Sequence, residues 1–268
     1  MYQHLPNICY ECGILLNQES LTKEHVPPKC FFPKNDNFSL ITVPSCIEHN
    51  GGKSSDDEHL LQIISLQILA NEKGQNIATS KAVKGILRNK KRTKSLASNA
   101  TLVYVDEEKT GQLKPTFAFK FDEFKLNNSV SSICKGLYYH EFHKVFNGNI
   151  EIYNEFQISL DDDSINKNQE YEKNRILIKK NFSDVERKGK NQEIFYYQIM
   201  KLPKGLGFSL AIRLCFYEGI GILAFLQEKK EFKLNAITCA LDLLHKSLLA
   251  FDTPLTKVNK TVLLQEVY

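Results

Sequence analysis

Two short stretches decide how the first part of this chain folds: Ile-Cys-Tyr-Glu-Cys-Gly at residues 8–13 and Cys-Ile-Glu-His-Asn at residues 46–50. Zinc takes four thiolate or imidazole ligands in a tetrahedron, and a C-x-x-C turn supplies two of them from one loop. Gly13 can adopt the positive φ that such a turn often needs. A lone C-x-x-C would leave a redox motif as an alternative, but two pairs together predict one structural zinc site. The predicted ligands are Cys9, Cys12, Cys46 and His49.

An acid–histidine pair, Glu24-His25, lies between the two zinc pairs. Adjacent residues at the end of a strand point to opposite sides, so the two side chains can do different work. The carboxylate can hold a hard cation such as Mg²⁺, and the imidazole can take a proton from water. An isolated histidine is more often buried or at a turn. In this context we expect His25 to be chemically active.

Asn50 directly follows the second zinc pair. Its amide oxygen can cap a helix or bind Mg²⁺, and beside Glu24-His25 we expect it to bind metal. We expect a helix to start here and to continue through Lys53, and its apolar residues continue at helical spacing until Gly74 ends the helix.

The order of these motifs resembles that of the HNH, or ββα-metal, endonucleases, in the zinc-containing subtype of the phage Holliday-junction resolvases. The resemblance covers residues 7–60. It implies that His25 is the general base, that Glu24 and Asn50 hold Mg²⁺ or Mn²⁺, and that Lys53 contacts a phosphate. It also implies that the four Cys and His ligands hold structural zinc. Members of the family usually carry a further asparagine shortly before the second zinc pair. Asn37 is the candidate for it because it lies near that position. The implied reaction is metal-assisted hydrolysis of a phosphodiester bond.

The chain has 268 residues and is 42% hydrophobic, which is enough for one large or two modest domains. We expect an α+β protein with a zinc-stabilised ββα-metal (HNH) unit in residues 1–72. Residues 73–268 are expected to form an α+β domain of unknown role with an antiparallel sheet.

A basic run occupies residues 73–94 and contains no acidic residue. We predict a basic helix over residues 73–99 that contacts the phosphates of a duplex without reading its sequence. A solvated helix face is the alternative. The overall charge of +4 permits nucleic acid but does not require it. The predicted phosphate contacts are Lys84, Arg88, Lys91 and Arg92.

Further along, the hydrophobic pattern alternates between strand and helix periods. Strands at 101–105 and 117–121 predict a hairpin, and three strands at 193–200, 207–216 and 220–226 predict a meander. Helices are expected at 129–146, 169–180 and 234–249. Aromatic residues in the first of these could stack on bases, but at this spacing they are more often core.

Two classes of function remain in contest. The first is a metal-dependent endonuclease acting on double-stranded DNA, with residues 73–268 giving target choice, regulation, or contact with a second copy or a partner protein. An RNA-cutting, toxin-like nuclease is a variant of it. The second is a zinc-stabilised nucleic-acid-binding module without catalysis. The Lys- and Asn-rich composition hints at conflict between bacteria and phages, and we expect a cytoplasmic protein with reduced thiols and no membrane span.

Overall fold

A computed structural model describes residues 7–33, 40–67, 69–88, 90, 94, 98–106, 113–161, 163–203 and 207–228. Helices and antiparallel strands are mixed along this part of the chain, so the predicted α+β class is confirmed. Among the described residues, no helix is both long and apolar enough to span a membrane. The helix expected at 234–249 lies outside the described residues, as does Asn37.

The first two strands form an antiparallel hairpin, β1 (Thr22–Val26) and β2 (Ile41–Ser45), with His25 opposite Thr42. Burial alternates along β1: Glu24 and Val26 are buried, whereas Lys23 is exposed and His25 is partly exposed. The pleat of the strand accounts for this alternation. The prediction that Glu24 and His25 point to opposite sides is therefore confirmed.

Short helices follow the hairpin: α1 (Ile47–Gly51), α2 (Ser54–Ser65), α3 (Glu72–Ile77) and α4 (Val83–Arg88), with a π-helical stretch at Ala78–Ala82 between the last two. Asn50 does not start a helix as expected. Cys46 is the N-cap residue of α1, Asn50 lies inside α1, and α2 starts separately after Lys53.

The helix that was expected to end at Gly74 ends at Ser65 instead, and Gly74 lies inside α3. Asn71 begins α3, since its side chain accepts a hydrogen bond from the Gly74 N–H. Gly74 serves for close packing rather than for helix termination, because a Cβ there would lie 2.7 Å from the ring of Tyr217.

The remaining elements are β3 (Ala100–Asp106), β4 (Leu113–Phe119), α5 (Glu123–Phe142), β5 (Asn149–Asn154), α6 (Ser164–Asn181), β6 (Phe195–Lys201), β7 (Leu210–Phe216) and β8 (Ile220–Gln227). The β3–β4 hairpin, α5, α6 and the β6–β7–β8 meander confirm the expected elements. Strand β5 was not foreseen. It pairs with β8 and completes a four-stranded antiparallel sheet in the order β5-β8-β7-β6.

One hydrophobic core joins the N-terminal hairpin to this sheet. Residues of β1, α2, α5, β7 and β8 all belong to it, including Val26, Ile64, Ile133, Phe216 and Ile222. The Tyr217 hydroxyl, beyond β7, donates to the carbonyl of Phe31 at 2.9 Å, far away in sequence. The other face of the sheet packs against Ile178 and Phe182. The domain boundary at residue 72 stays a prediction, but described residues on both sides of it share this core.

Helix α5 approaches the hairpin at a glycine. A Cβ on Gly136 would lie 2.7 Å from a methyl group of Val26, so only glycine allows α5 to pack this closely against β1. The same helix also contacts α2 and β2. It therefore fixes the position of the strand that carries Glu24 and His25.

Candidate functional site

The predicted zinc ligands converge. The ligand atoms of Cys9, Cys12, Cys46 and His49 all lie within 4.8 Å of one another. Nδ1 of His49 lies 3.0 Å from Sγ of Cys46 and 4.0 Å from Sγ of Cys9. Zinc with bonds of about 2.0–2.3 Å separates its tetrahedral ligand atoms by roughly 3.5–3.8 Å. The four donors therefore fit a metal ion such as zinc.

Backbone hydrogen bonds shape the first half of this metal centre. The N–H of Gly13 donates to the carbonyl of Cys9, and the N–H of Cys9 donates to the carbonyl of Ile14, both at 2.9 Å. Gly13 has a φ of +76°, the positive value that was expected for the residue after a C-x-x-C turn. The N–H of Tyr10 donates to the carbonyl of Pro44, which ties the turn to β2. The hairpin and the metal centre therefore form one unit.

Cys9 is prepared to act as a thiolate. Burial works against the charged form, but backbone N–H groups around the sulfur outweigh it and hold the pKa of Cys9 below its usual value. Hydrogen bonds from backbone amides are a common way to stabilise metal-binding thiolates. Burial, together with the neighbouring sulfurs of Cys9 and Cys46, raises the pKa of Cys12, so a bound cation would be needed to favour the thiolate form of both cysteines.

His25 lies on the outer side of the hairpin, away from Glu24. Burial, aided by the charge of Lys29, lowers the pKa of His25 below its ordinary value. The ring is therefore neutral at physiological pH, which a general base requires.

Glu24 lies on the inner side and is paired. Its Oε1 is 3.2 Å from Nζ of Lys53, and the two side chains are only 7% and 14% exposed. Burial raises the pKa of Glu24, and the Lys53 ammonium limits that rise. The predicted metal-binding carboxylate and the predicted phosphate-binding lysine thus contact each other.

Lys53 has further partners, and together they form what we name the Lys53 cluster. Its Nζ donates to the Tyr10 hydroxyl at 3.1 Å and to the Ser132 hydroxyl at 3.2 Å. Asp57 lies close enough to act on its charge, and the Ser129 hydroxyl donates to Asp57. The members of the cluster are Tyr10, Glu24, Lys53, Asp57, Ser129 and Ser132.

The charges within the Lys53 cluster support one another. Burial works against a charged Lys53, but the hydrogen bond that the Tyr10 oxygen accepts and the carboxylates of Asp57 and Glu24 outweigh it and raise the pKa of Lys53. Burial raises the pKa of Tyr10 to about 12, so its hydroxyl remains protonated. Lys53 is therefore a charged ammonium group whose position is fixed by its hydrogen bonds and its ion pair. Its expected contact with a phosphate stays a prediction.

Asn50 is partly exposed in α1, and α1 contacts β1. Within the described residues, the four predicted zinc ligands are the one group of three or more Cys, His, Asp or Glu side chains close enough to share a metal. A second ion at Glu24 and Asn50 therefore stays a prediction, and it would draw ligands from one carboxylate, one amide and water.

The basic run is divided between two roles. Lys84 and Arg88 are exposed on α4, as phosphate contacts require. Lys81 instead donates to the carbonyls of Cys30 and Phe32, and Lys73 lies 3.2 Å from Glu193. Lys91 and Arg92 lie outside the described residues, so they remain predictions.

Four members of the Lys53 cluster were not predicted from the sequence: Tyr10, Asp57, Ser129 and Ser132. Tyr10 lies between two predicted zinc ligands and Asp57 lies in the charged first turn of α2, where side chains are usually solvated, yet both are buried. Ser129 and Ser132 come from α5, more than 70 positions from their partners. A serine pair three apart on an otherwise apolar helix face was the available signal. His140, which was assigned no chemistry, lines a cleft beside β1 and β2.

Comparison with known proteins gives no family or relative, so any function must be argued from the site alone. No family model matches the chain, and neither the curated proteins nor the solved structures contain a match.

Proposed function

We propose that this protein is a metal-dependent endonuclease of the HNH type that hydrolyses phosphodiester bonds of DNA. One observation carries the proposal: an antiparallel hairpin with Glu24-His25 in its first strand is followed at once by a helix with Asn50, and the four-ligand metal centre holds both ends of this unit. A hairpin, a helix and an acid–histidine pair in this order provide the parts of a ββα-metal site.

In this proposal the residues have separate tasks. His25, neutral and on the outer side of the hairpin, takes a proton from the attacking water. Glu24 and Asn50 would hold Mg²⁺ or Mn²⁺, which when bound stabilises the charge that develops on the phosphate. Lys53 keeps the buried Glu24 carboxylate ionised and oriented, and Lys84 and Arg88 attract the duplex.

A plasmid-cleavage assay tests the proposal. Purified zinc-loaded protein is incubated with supercoiled plasmid, linear duplex, branched DNA and RNA in Mg²⁺ or Mn²⁺. We expect cleavage of DNA by the parent and a loss of at least about 100-fold in His25→Ala, which is the usual contribution of a general base. Zinc content and thermal unfolding confirm that the variant remains folded.

A second histidine supplies the matched control. His143 ends α5 with a φ of +54°, and it is exposed. His143→Asn suits this backbone conformation and should cut at the parent rate. Equal rates for the parent and His25→Ala would remove His25 from the proposed role. Cleavage of RNA alone would move the proposal to a ribonuclease.

One observation favours a second candidate, a zinc-stabilised nucleic-acid-binding module. The Glu24 carboxylate is buried and already paired with Lys53, as in a site that needs no metal. Binding of DNA without cleavage of any substrate, in either metal, would support the module over the enzyme.

A further inference from the structure

A cleft of about 460 Å³ opens where the N-terminal hairpin meets the larger sheet. Val26, Pro27 and Thr42 line one side, and His140 and Lys190 line the other. We name it the His140 cleft. Its volume lies in the range of small-molecule sites and exceeds what a side chain or a few waters need.

The inside of the cleft is apolar and rigid. Phe195 and Tyr197 of β6 line it but are only 3% and 2% exposed, so they close its inner end and leave almost no ring face accessible. The Tyr197 hydroxyl donates to Glu141 at 2.6 Å, which holds that ring in place. Leu40 and Ile41 add aliphatic surface at the hairpin side. A flat, apolar ligand would find a preformed surface here.

The rim is polar and carries no negative charge. Among the described residues that line the cleft, none is acidic, and the potential cations are His140 and Lys190, both exposed. The exposed His140 ring is still partly shielded from water by its neighbours, and this partial desolvation is the main cause that lowers its pKa, so the ring is neutral at physiological pH and offers an aromatic face. Histidine rings stack on unpaired bases in nucleic-acid-binding proteins.

Lys190 is held at the rim by a glycine turn. Gly189 has a φ of +120°, a conformation that side chains rarely adopt, and Lys188 beside it forms a β-bridge with Tyr197. A Cβ on Gly189 would also meet the carbonyl of Phe195 at 3.0 Å. The turn therefore fixes the backbone of Lys190 at the rim of a cleft that His140 also lines, and a cation together with an aromatic ring is the combination that single-strand binders use.

The cleft begins next to the proposed general base. Thr42, which lines it, is the residue directly opposite His25 and lies on the same outer side of the hairpin, whereas Val26 reaches the cleft from the inner side. Cα atoms of such opposed residues are about 4.5–5.5 Å apart. A strand with its scissile phosphate at His25 would therefore have a neighbouring nucleotide within reach of the cleft.

We propose that the His140 cleft binds one unpaired nucleotide of a DNA strand, with its base between the exposed His140 ring and the aliphatic surface of Leu40 and Ile41, and its phosphate at Lys190. The inference deepens the proposed nuclease function and rests on it for the position of the cut. It makes the preferred substrate a strand with at least one unpaired base, such as a frayed or single-stranded region.

The test separates binding from cutting. The full-length zinc-loaded His25→Ala protein is titrated, without added Mg²⁺, into a short fluorescein-labelled single strand and into the duplex of the same sequence. A parallel single strand carries one 2-aminopurine, whose fluorescence reports whether the base changes its stacking. We expect tighter binding of the single strand and a changed 2-aminopurine signal.

Two exposed side chains can be removed without disturbing the core. His140→Ala should weaken binding of the single strand about five- to tenfold, which is the size expected for one lost stacking partner. Lys190→Ala should weaken it about threefold and lower the salt slope by about one. Neither should change binding of the duplex. Lys180→Ala, an exposed lysine on α6 behind the sheet, and His143→Asn should match the parent.

The outcomes distinguish the inference from the function. Single-strand affinities within twofold of the parent in both variants, or a parent that does not bind the single strand, would overturn the cleft assignment. In that case, cleavage by protein with intact His25 would leave the nuclease proposal standing. Conversely, cleft-dependent binding without cleavage of any substrate would leave the cleft as a nucleotide site and defeat the nuclease proposal.

Discussion

The metal centre and the Lys53 cluster hold the same hairpin by opposite means. The metal centre takes its ligands from two short motifs, and each motif contains its ligands within four consecutive residues. The Lys53 cluster instead takes its members from the zinc turn, β1, α2 and the distant α5. A metal site can be predicted from the spacing of Cys and His in the sequence, because tetrahedral coordination requires ligands at short, fixed intervals. A buried hydrogen-bond cluster cannot, because its members depend on which distant helix packs against the hairpin.

Loss of a metal ligand should have the largest effect. Cys46→Ser should reduce zinc from about one per chain to none and unfold the N-terminal hairpin, because zinc binding supplies several kcal/mol of folding free energy in such sites. Elemental analysis and thermal unfolding measure both. Cys30→Ala removes a thiol that lies outside the metal centre and should retain zinc. Zinc retained in Cys46→Ser would contradict the ligand assignment.

Loss of Lys53 comes next and should leave zinc in place. Lys53→Met removes the partner of a buried carboxylate, which costs about 3–5 kcal/mol in comparable pairs. Urea unfolding measures the change in the free energy of unfolding. Adding Glu24→Gln removes the stranded charge, so the double variant should be more stable than Lys53→Met alone. Strictly additive losses would show that the two residues do not interact.

The contact between α5 and β1 should have a smaller effect. Gly136→Ala places a methyl group against Val26, and overpacking costs about 1–3 kcal/mol, partly offset by up to about 1 kcal/mol of helix propensity. Val26→Ala in the same protein frees space for that methyl group. The double variant should therefore lose less free energy of unfolding than the two single variants lose together. A loss equal to that sum would show that the two residues are not in contact.

The surface of α4 should affect binding without affecting stability. Lys84→Ala with Arg88→Ala should change the free energy of unfolding by less than about 0.5 kcal/mol each and lower the salt slope of DNA binding by about two. Lys81→Ala is the contrasting control on the same run. It removes hydrogen bonds to two carbonyls, so it should cost about 1–3 kcal/mol and leave the slope unchanged.

The sequence was most informative where chemistry requires a fixed spacing or a fixed period. The zinc pairs, the two sides of β1, the β3–β4 hairpin and the meander all follow from such local patterns. Strand β5 was missed because it is short, half-exposed and paired with a strand far along the chain. Asn50 was assigned to a helix start because asparagine is a good N-cap, but Cys46 already begins that helix.

The partners of the predicted site residues could not be foreseen. Lys53 was singled out by the resemblance to the HNH endonucleases, yet its closest contacts are Tyr10, Glu24 and Ser132. Such contacts depend on the close packing of α5 against β1 that Gly136 permits, and no local sequence pattern predicts this packing. The same holds for His140, whose importance comes from the β1–β2 hairpin and β6 that meet beside it.

The hydrogen bond from Tyr217 to the Phe31 carbonyl has a consequence for the order of events on the ribosome. The inner face of the N-terminal hairpin is covered by α5 and by strands up to β8, all of which are synthesised after it. Early in translation the hairpin can gather zinc but has nothing to pack against. The core that supports the hairpin is therefore complete only when β7 and β8 have emerged, so a shorter nascent or truncated chain has the predicted zinc ligands but lacks part of this core.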